Sequence, residues 1–153
     1  MDIFNRNKLP ETDVERYSMD AVTSYLGKAA GTRGFYVNID IVPPGASSTK
    51  YHSHTCQEEF FLILRGRGRL RTADGEREVG PGDFLSKLPE IGNPHSFYNH
   101  GEEPLEILDV GTMVRGDVCY YPDEDVYLVK ETNLAFQGGD ALKAWSSDPD
   151  ESQ

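Results

Sequence analysis

Glycine and proline cut this chain into segments too short for anything but strands and turns. The 153 residues include 15 Gly and 9 Pro, and the stretches between them alternate or run apolar with the period of β-structure. Phe35–Val42 places Phe35, Val37, Ile39 and Ile41 on one face and Tyr36, Asn38 and Asp40 on the other, which marks a strand with one buried face. Pro43-Pro44-Gly45 ends it, because proline removes ladder donors and glycine permits a tight turn. Residues 60–64 are apolar at every position, as in a strand covered on both faces; one side would look into a barrel, the other against a second sheet or a partner subunit. Residues 69–72 and 76–79 flank Asp74-Gly75 as a hairpin. Gly80-Pro81-Gly82-Asp83 turns the chain into residues 84–88. Residues 95–99 and 105–110 follow, with a last strand at 118–121 or 126–129. Helix is expected only at 14–28 and 141–145. Many short strands between such turns indicate an all-β sandwich or closed barrel.

The length suits one domain, and no internal repeat suggests two fused copies. A barrel over 31–133 is expected, with an N-terminal extension over 1–30 and a C-terminal segment over 134–153. The latter ends in an acidic tail around Asp148, Asp150 and Glu151 that reads as flexible. The formal net charge of -11 repels phosphate backbones and anionic lipid surfaces, so nucleic acid and membranes are poor partners. The first residues show no apolar stretch behind a basic start. A cytoplasmic location is therefore expected, with Cys56 and Cys119 as reduced thiols.

Four histidines occur in the chain, and three fall into two compact patterns. The first reads Gly45, six residues, His52-Ser53-His54, four residues, Glu59, six residues, Gly66. The second reads Gly82, six residues, Pro89, two residues, Gly92, two residues, His95, three residues, Asn99. Residues two apart on a strand share a face, about 6.6 Å apart along it, so His52 and His54 can converge on one ion. A turn at 55–58 can return Glu59 to the same centre, and His95 would close the set from another strand. Three imidazoles and a carboxylate suit Fe, Mn, Co, Ni, Cu or Zn better than Ca, which prefers more oxygens.

These two patterns, in order and about thirty residues apart, resemble the signature motifs of the cupin superfamily. The spacing from Gly45 to His52 and that from Pro89 to Gly92 each depart from the usual motif by a residue, in turns. Further likeness to a group of small single-domain cupins lies in Tyr25-Leu26-Gly27, Val42-Pro43-Pro44-Gly45 and Gly116-Asp117-Val118-Cys119-Tyr120-Tyr121. The resemblance implies a double-stranded β-helix, or jelly-roll, barrel with short terminal extensions. It also implies one divalent transition metal per subunit on His52, His54, Glu59 and His95, and a homodimer.

Glu59 competes with Glu58 for the carboxylate position. It keeps both motif gaps and shares a face with Phe61 and Ile63, while Glu58 would point outward. Phe61, Ile63, Phe97 and Asn99 are the expected pocket residues, although core packing explains Phe61 and Phe97 equally well and a turn hydrogen bond explains Asn99 equally well. His100 reads as a solvated surface histidine, Cys56 as inert filler and Cys119 as core. Two functions stay open. One is a metal-dependent enzyme, a dioxygenase or isomerase, acting on a small organic molecule. The other is a non-catalytic barrel that binds a sugar or organic acid. A closed structural metal site fits less well, since such sites favour four tetrahedral ligands, often cysteines.

Overall fold

The computed structural model of the chain describes residues 1–140; the helix expected at 141–145 and the acidic tail lie outside them. Thirteen strands follow in order: β1 (Val14–Arg16), β2 (Val22–Tyr25), β3 (Phe35–Val42), β4 (Ser53–His54), β5 (Glu59–Arg65), β6 (Gly68–Thr72), β7 (Gly75–Val79), β8 (Phe84–Lys87), β9 (His95–Tyr98), β10 (Leu105–Thr112), β11 (Val118–Tyr121), β12 (Val126–Val129) and β13 (Leu134–Gln137). A six-stranded sheet runs β1-β2-β3-β10-β5-β8. Facing it are β7-β6-β9 and β13-β12-β11-β4, joined by a backbone bridge between His52 and His95. The result is the all-β jelly-roll the turn pattern anticipates, with the predicted hairpin present as β6–β7.

Two expectations are corrected here. Residues 14–28 are not one helix: β1 and β2 pair with each other and β2 with β3, leaving a 3₁₀ turn at Ser18–Asp20 and α1 (Leu26–Ala30) as the helical pieces. Met19 and Asp20 both sit at φ 60, a conformation that halts helix growth, and Val22, Thr23 and Tyr25 are better served by a sheet. At the other end both 118–121 and 126–129 are strands, and β13 adds a third.

The faces of β3 alternate, but in the opposite sense to their hydropathy. Tyr36, Asn38 and Asp40 point into the barrel and line its cavity, while the apolar set Val37, Ile39 and Ile41 lies on the outside of the six-stranded sheet. Arg6 reaches Glu106 at 2.9 Å, which brings the N-terminal segment to that same outer face. Inside, β3, β10 and β5 each pass from polar to apolar along their length. Asp40 gives way to Val42, Asp109 to Ile107 and Leu105, and Glu59 to Phe61 and Ile63. The barrel is thereby split into a polar half that stays open and an apolar half closed by Val42, Ile63, Leu70, Phe97, Leu105 and Ile107.

Among the described residues nothing covers the outer face of β5 fully. Phe60 and Leu64 are each 38% exposed, and Phe60 stacks on Phe84 with ring centroids 6.1 Å apart. Among the described residues no helix is long and apolar enough to cross a membrane.

Candidate metal centre and cavity

His52 and His95 exchange backbone hydrogen bonds (His52 N to His95 O, 3.1 Å; His95 N to His52 O, 2.8 Å). That pairing sends both rings to one side, with centroids 5.0 Å apart. His54, two residues on, places its ring centroid 4.9 Å from that of His52. Glu59 begins β5 opposite them. One donor atom each of His52, His54 and Glu59 lies within 4.8 Å of the others, and His95 Nδ1 lies 3.9 Å from Glu59 Oε2. All four side chains are buried.

Hydrogen-bond partners fix the tautomers. His52 Nδ1 lies 2.8 Å from the carbonyl of Lys50, and His54 Nδ1 lies 2.6 Å from Asp117 Oδ2. Each partner can only accept, so each Nδ1 carries the proton and each Nε2 offers a lone pair. Those two Nε2 atoms face each other at 3.1 Å. Burial holds His52 down at about 4 and His95 at about 3, and lowers His54 as well, so near neutral pH no proton resolves the contact. His95 Nδ1 is buried with no hydrogen-bond partner among the described residues. Lone pairs that converge without a hydrogen between them are the donor arrangement a divalent ion satisfies, and a borderline transition metal fits this set.

Glu59 is held ionised. Lys87, buried at 3% exposure and directly opposite Glu59 across β5–β8, donates to Oε2 at 3.0 Å. Gln57 Nε2 donates to Oε1 at 3.0 Å, and the Tyr36 hydroxyl lies 3.1 Å from the same oxygen. Burial opposes ionisation, yet His95, His54 and Lys87 together hold the carboxyl at about 2. Behind His54, Asp117 is 1% exposed. Its Oδ1 accepts from the backbone N–H groups of Cys56 (3.0 Å) and Gln57 (3.3 Å), and its Oδ2 faces Lys130 Nζ at 3.4 Å. Cys119 Sγ lies 3.5 Å from His54 Nδ1, but burial pushes its thiol up to about 11. The nitrogen it approaches is already committed to Asp117.

The rings and carboxylate border a cavity of about 290 Å³. Its far wall is Tyr36, Asn38, Asp40 and Asp109 from the large sheet, and Lys130 is the only lysine or arginine among the described residues lining it. The cavity opens into a wider groove of about 1110 Å³, bounded on one side by Tyr17, Met19 and Tyr25 and on the other by Arg69 and Arg71. At that rim Arg71 grips Asp123 with two bonds (2.6 and 2.9 Å) and lies 3.8 Å over the Tyr51 ring.

Phe61 and Phe97 line the cavity, whereas Ile63 and Asn99 do not. Ile63 lies deeper, in the closed apolar half. Asn99 donates to the carbonyls of Val42 (2.7 Å) and Glu103 (2.8 Å) and accepts from Gly101 N (2.9 Å), which pins a turn. Glu58 and His100 face outward, His100 against Glu78 at 3.1 Å. The two cysteines are free thiols. Sequence reasoning missed Tyr36, Gln57, Lys87, Asp109, Asp117 and Lys130. For Tyr36 the signal was present, since it alternates in step with Asn38 and Asp40.

Asp40 makes its own prediction. Burial raises its carboxyl to about 6 although Thr23 Oγ1 donates to it at 2.6 Å. The folded form therefore binds its proton more tightly than the unfolded chain, and stability tied to that proton is present at low pH and lost as pH rises through about 6. Asp40→Asn, which keeps an acceptor for Thr23, should be more stable than wild type at pH 8 by an amount on the order of 1–3 kcal/mol. The two proteins should converge near pH 4 in urea denaturation; an equal gap at both values would refute the assignment.

Residues 38–111 match the family described as Cupin domain. A structure of a sugar phosphate isomerase from the cupin superfamily of Silicibacter pomeroyi superposes with TM-score 0.75 at 28% identity, covering 90% of this chain and 96% of that one. One from Acidithiobacillus ferrooxidans, provisionally described by the same activity, gives TM-score 0.78 at 27% identity over 88% and 89% of the two chains. In sequence, an uncharacterised protein of Methanocaldococcus jannaschii is 46% identical over 83 residues, 54% of this chain and 56% of that protein, so the match spans little more than half of that relative. Fold, motif and family match agree: this chain belongs to the cupin superfamily.

Proposed function

We propose that the chain is a metal-dependent isomerase of a small phosphorylated sugar, using one divalent transition ion (Fe, Mn, Ni, Zn or Cu) per subunit on His52, His54, Glu59 and His95. The facing lone pairs of His52 and His54 carry the metal reading. Such an ion would polarise a carbonyl or hydroxyl of the substrate. An isomerase is favoured over a dioxygenase because the wall facing the histidines is hydroxyl, amide and carboxyl, which suits a polyhydroxylated substrate and proton movement. The overall likeness to the two sugar phosphate isomerase structures supports the same choice. Lys130, already in contact with Asp117 and Gln57, is the positive charge that an anionic substituent would meet in the cavity, while Phe61 and Phe97 close its floor.

The test is metal content of untagged protein by ICP-MS beside the His52→Ala/His95→Ala variant, followed by NMR of metal-refilled protein with aldose and ketose phosphates. Near-stoichiometric metal lost in the variant, with interconversion of one pair, is the expected result. Metal with no turnover, and a phosphorylated sugar recovered unchanged from a tight complex, would replace catalysis with binding. A wild type that neither carries nor takes up metal would remove the enzyme reading.

A cytoplasmic setting accords with the two free thiols. The open apolar face of Phe60, Leu62, Leu64 and Phe84 supports a homodimer. Light scattering should give twice the chain mass for wild type and the chain mass for Phe60→Asp/Phe84→Asp; a monomeric wild type would sink the dimer.

A further inference from the structure

The cavity wall opposite the histidines holds two carboxyl groups that the metal reading leaves unused. Asp40 on β3 and Asp109 on β10 are diagonal neighbours in the antiparallel ladder, since Asp40 pairs with Ile107 and Asp109 with Asn38. Both line the inner cavity and the groove outside it. Neither forms an ion pair among the described residues; Asp40 accepts from Thr23 and Asp109 meets only Tyr36.

The Tyr36 hydroxyl determines which of its neighbours carries a proton. Its oxygen lies 3.1 Å from Glu59 Oε1 and 3.1 Å from Asp109 Oδ1, and it accepts from Gln57 Nε2 at 3.3 Å. A hydroxyl has one hydrogen to donate. Two ionised carboxylates would leave one contact oxygen against oxygen, so one of them brings its own proton. Glu59 is ion-paired to Lys87; the proton therefore sits on Asp109, which donates to Tyr36 while Tyr36 donates to Glu59. The ring is fixed in place by Gly111, its partner across the ladder, where a Cβ would collide with the Tyr36 ring.

We propose that Asp109 and Asp40 are the acid and base of this cavity, Asp109 a neutral carboxylic acid and Asp40 a carboxylate, acting on a substrate held between them and the histidines. The inference rests on the isomerase reading for its substrate. In an aldose–ketose shift Asp40 takes the proton from the carbon next to the carbonyl as that C–H bond breaks. The Asp109 O–H bond breaks as its proton passes to the carbonyl oxygen, leaving a neutral enediol. In the second half Asp109 regains a proton from the other hydroxyl and Asp40 returns its own to the former carbonyl carbon. Protons and electrons balance with no external reactant. Two carboxyls given opposite roles by their surroundings is a recurring solution. Asp109 is faced by Tyr36, Asn38 and Asp40 from β3, by Glu59 and Phe61 from β5, and across the cavity by Lys130. Burial, then Asp40, then Glu59 push its carboxyl well above the usual range, against Lys130.

Carboxyl ¹³C NMR of aspartate-labelled wild type, with and without Zn, tests the protonation states without reference to any activity, each carboxyl being assigned through its own backbone. Asp109 protonated and Asp40 ionised at pH 7.5 is the expected result; an ionised Asp109 overturns the proposal. Deuterium wash-in from D₂O to a sugar phosphate that wild type interconverts should fall about 10²–10⁴-fold in both Asp109→Asn and Asp40→Asn. Full exchange in either variant overturns the assignment. A wild type with the expected NMR states but no turnover would instead remove the isomerase reading and, with it, the substrate named here.

Discussion

Glu59→Gln should cost about 3–5 kcal/mol of folding stability and abolish metal binding, two losses that a second substitution separates. The glutamine keeps shape and an acceptor but removes the charge facing Lys87, an ammonium that is 3% exposed and 3.0 Å from the carboxylate. An ionised lysine that deep without a counter-charge is far more costly than the pair. Adding Lys87→Met should restore most of the stability measured in urea, because the unpaired cation is gone. Metal content should remain absent in the double variant, since the proposed carboxylate ligand is still missing. Loss of less than about 1 kcal/mol in the single variant, well under the cost of breaking a buried pair, would show that Lys87 does not depend on Glu59.

Asp117→Asn should weaken metal binding about 10–100-fold with every proposed ligand still present. Oδ1 of Asp117 serves the backbone donors of Cys56 and Gln57, so an asparagine would keep its oxygen there. Its amide nitrogen would then face His54 Nδ1, where Oδ2 now lies at 2.6 Å. A donor in that place turns Nδ1 into an acceptor and moves the ring proton to Nε2, into the centre. Competition with a chelator gives the affinity, and ¹⁵N shifts of the His54 ring report the tautomer directly. An unchanged Nδ1–H tautomer with unchanged affinity would show that Asp117 does not set the ring.

The strand plan and the motif residues were legible in the sequence because both depend on short-range signals: turn chemistry, a period of two, and fixed gaps between histidines and glycines. The cavity wall was less so. Hydropathy reads Val37, Ile39 and Ile41 as the inward face, but a barrel with a polar interior half turns Tyr36, Asn38 and Asp40 inward instead. Lys87 reads as one more surface lysine until β8 is paired with β5 and sets it against Glu59. Asp117 is 63 residues from His54 in the chain, and no local pattern links them. The expected helix at 14–28 failed because a neighbouring strand offered β2 a better partner than its own backbone.

The outer groove is built differently from the cavity it serves. Tyr17, Met19 and Tyr25 come from the N-terminal strands and their connecting turn, whereas the proposed acid, base and ligands come from the barrel proper. Insertions or substitutions between β1 and β2 can therefore recut the inlet without moving an atom of the inner chemistry. Within such a lineage, selection among substrates that share one reacting end but differ in the group trailing out of the barrel could change quickly, by edits to a stretch of fewer than a dozen residues, while the reaction itself stayed fixed.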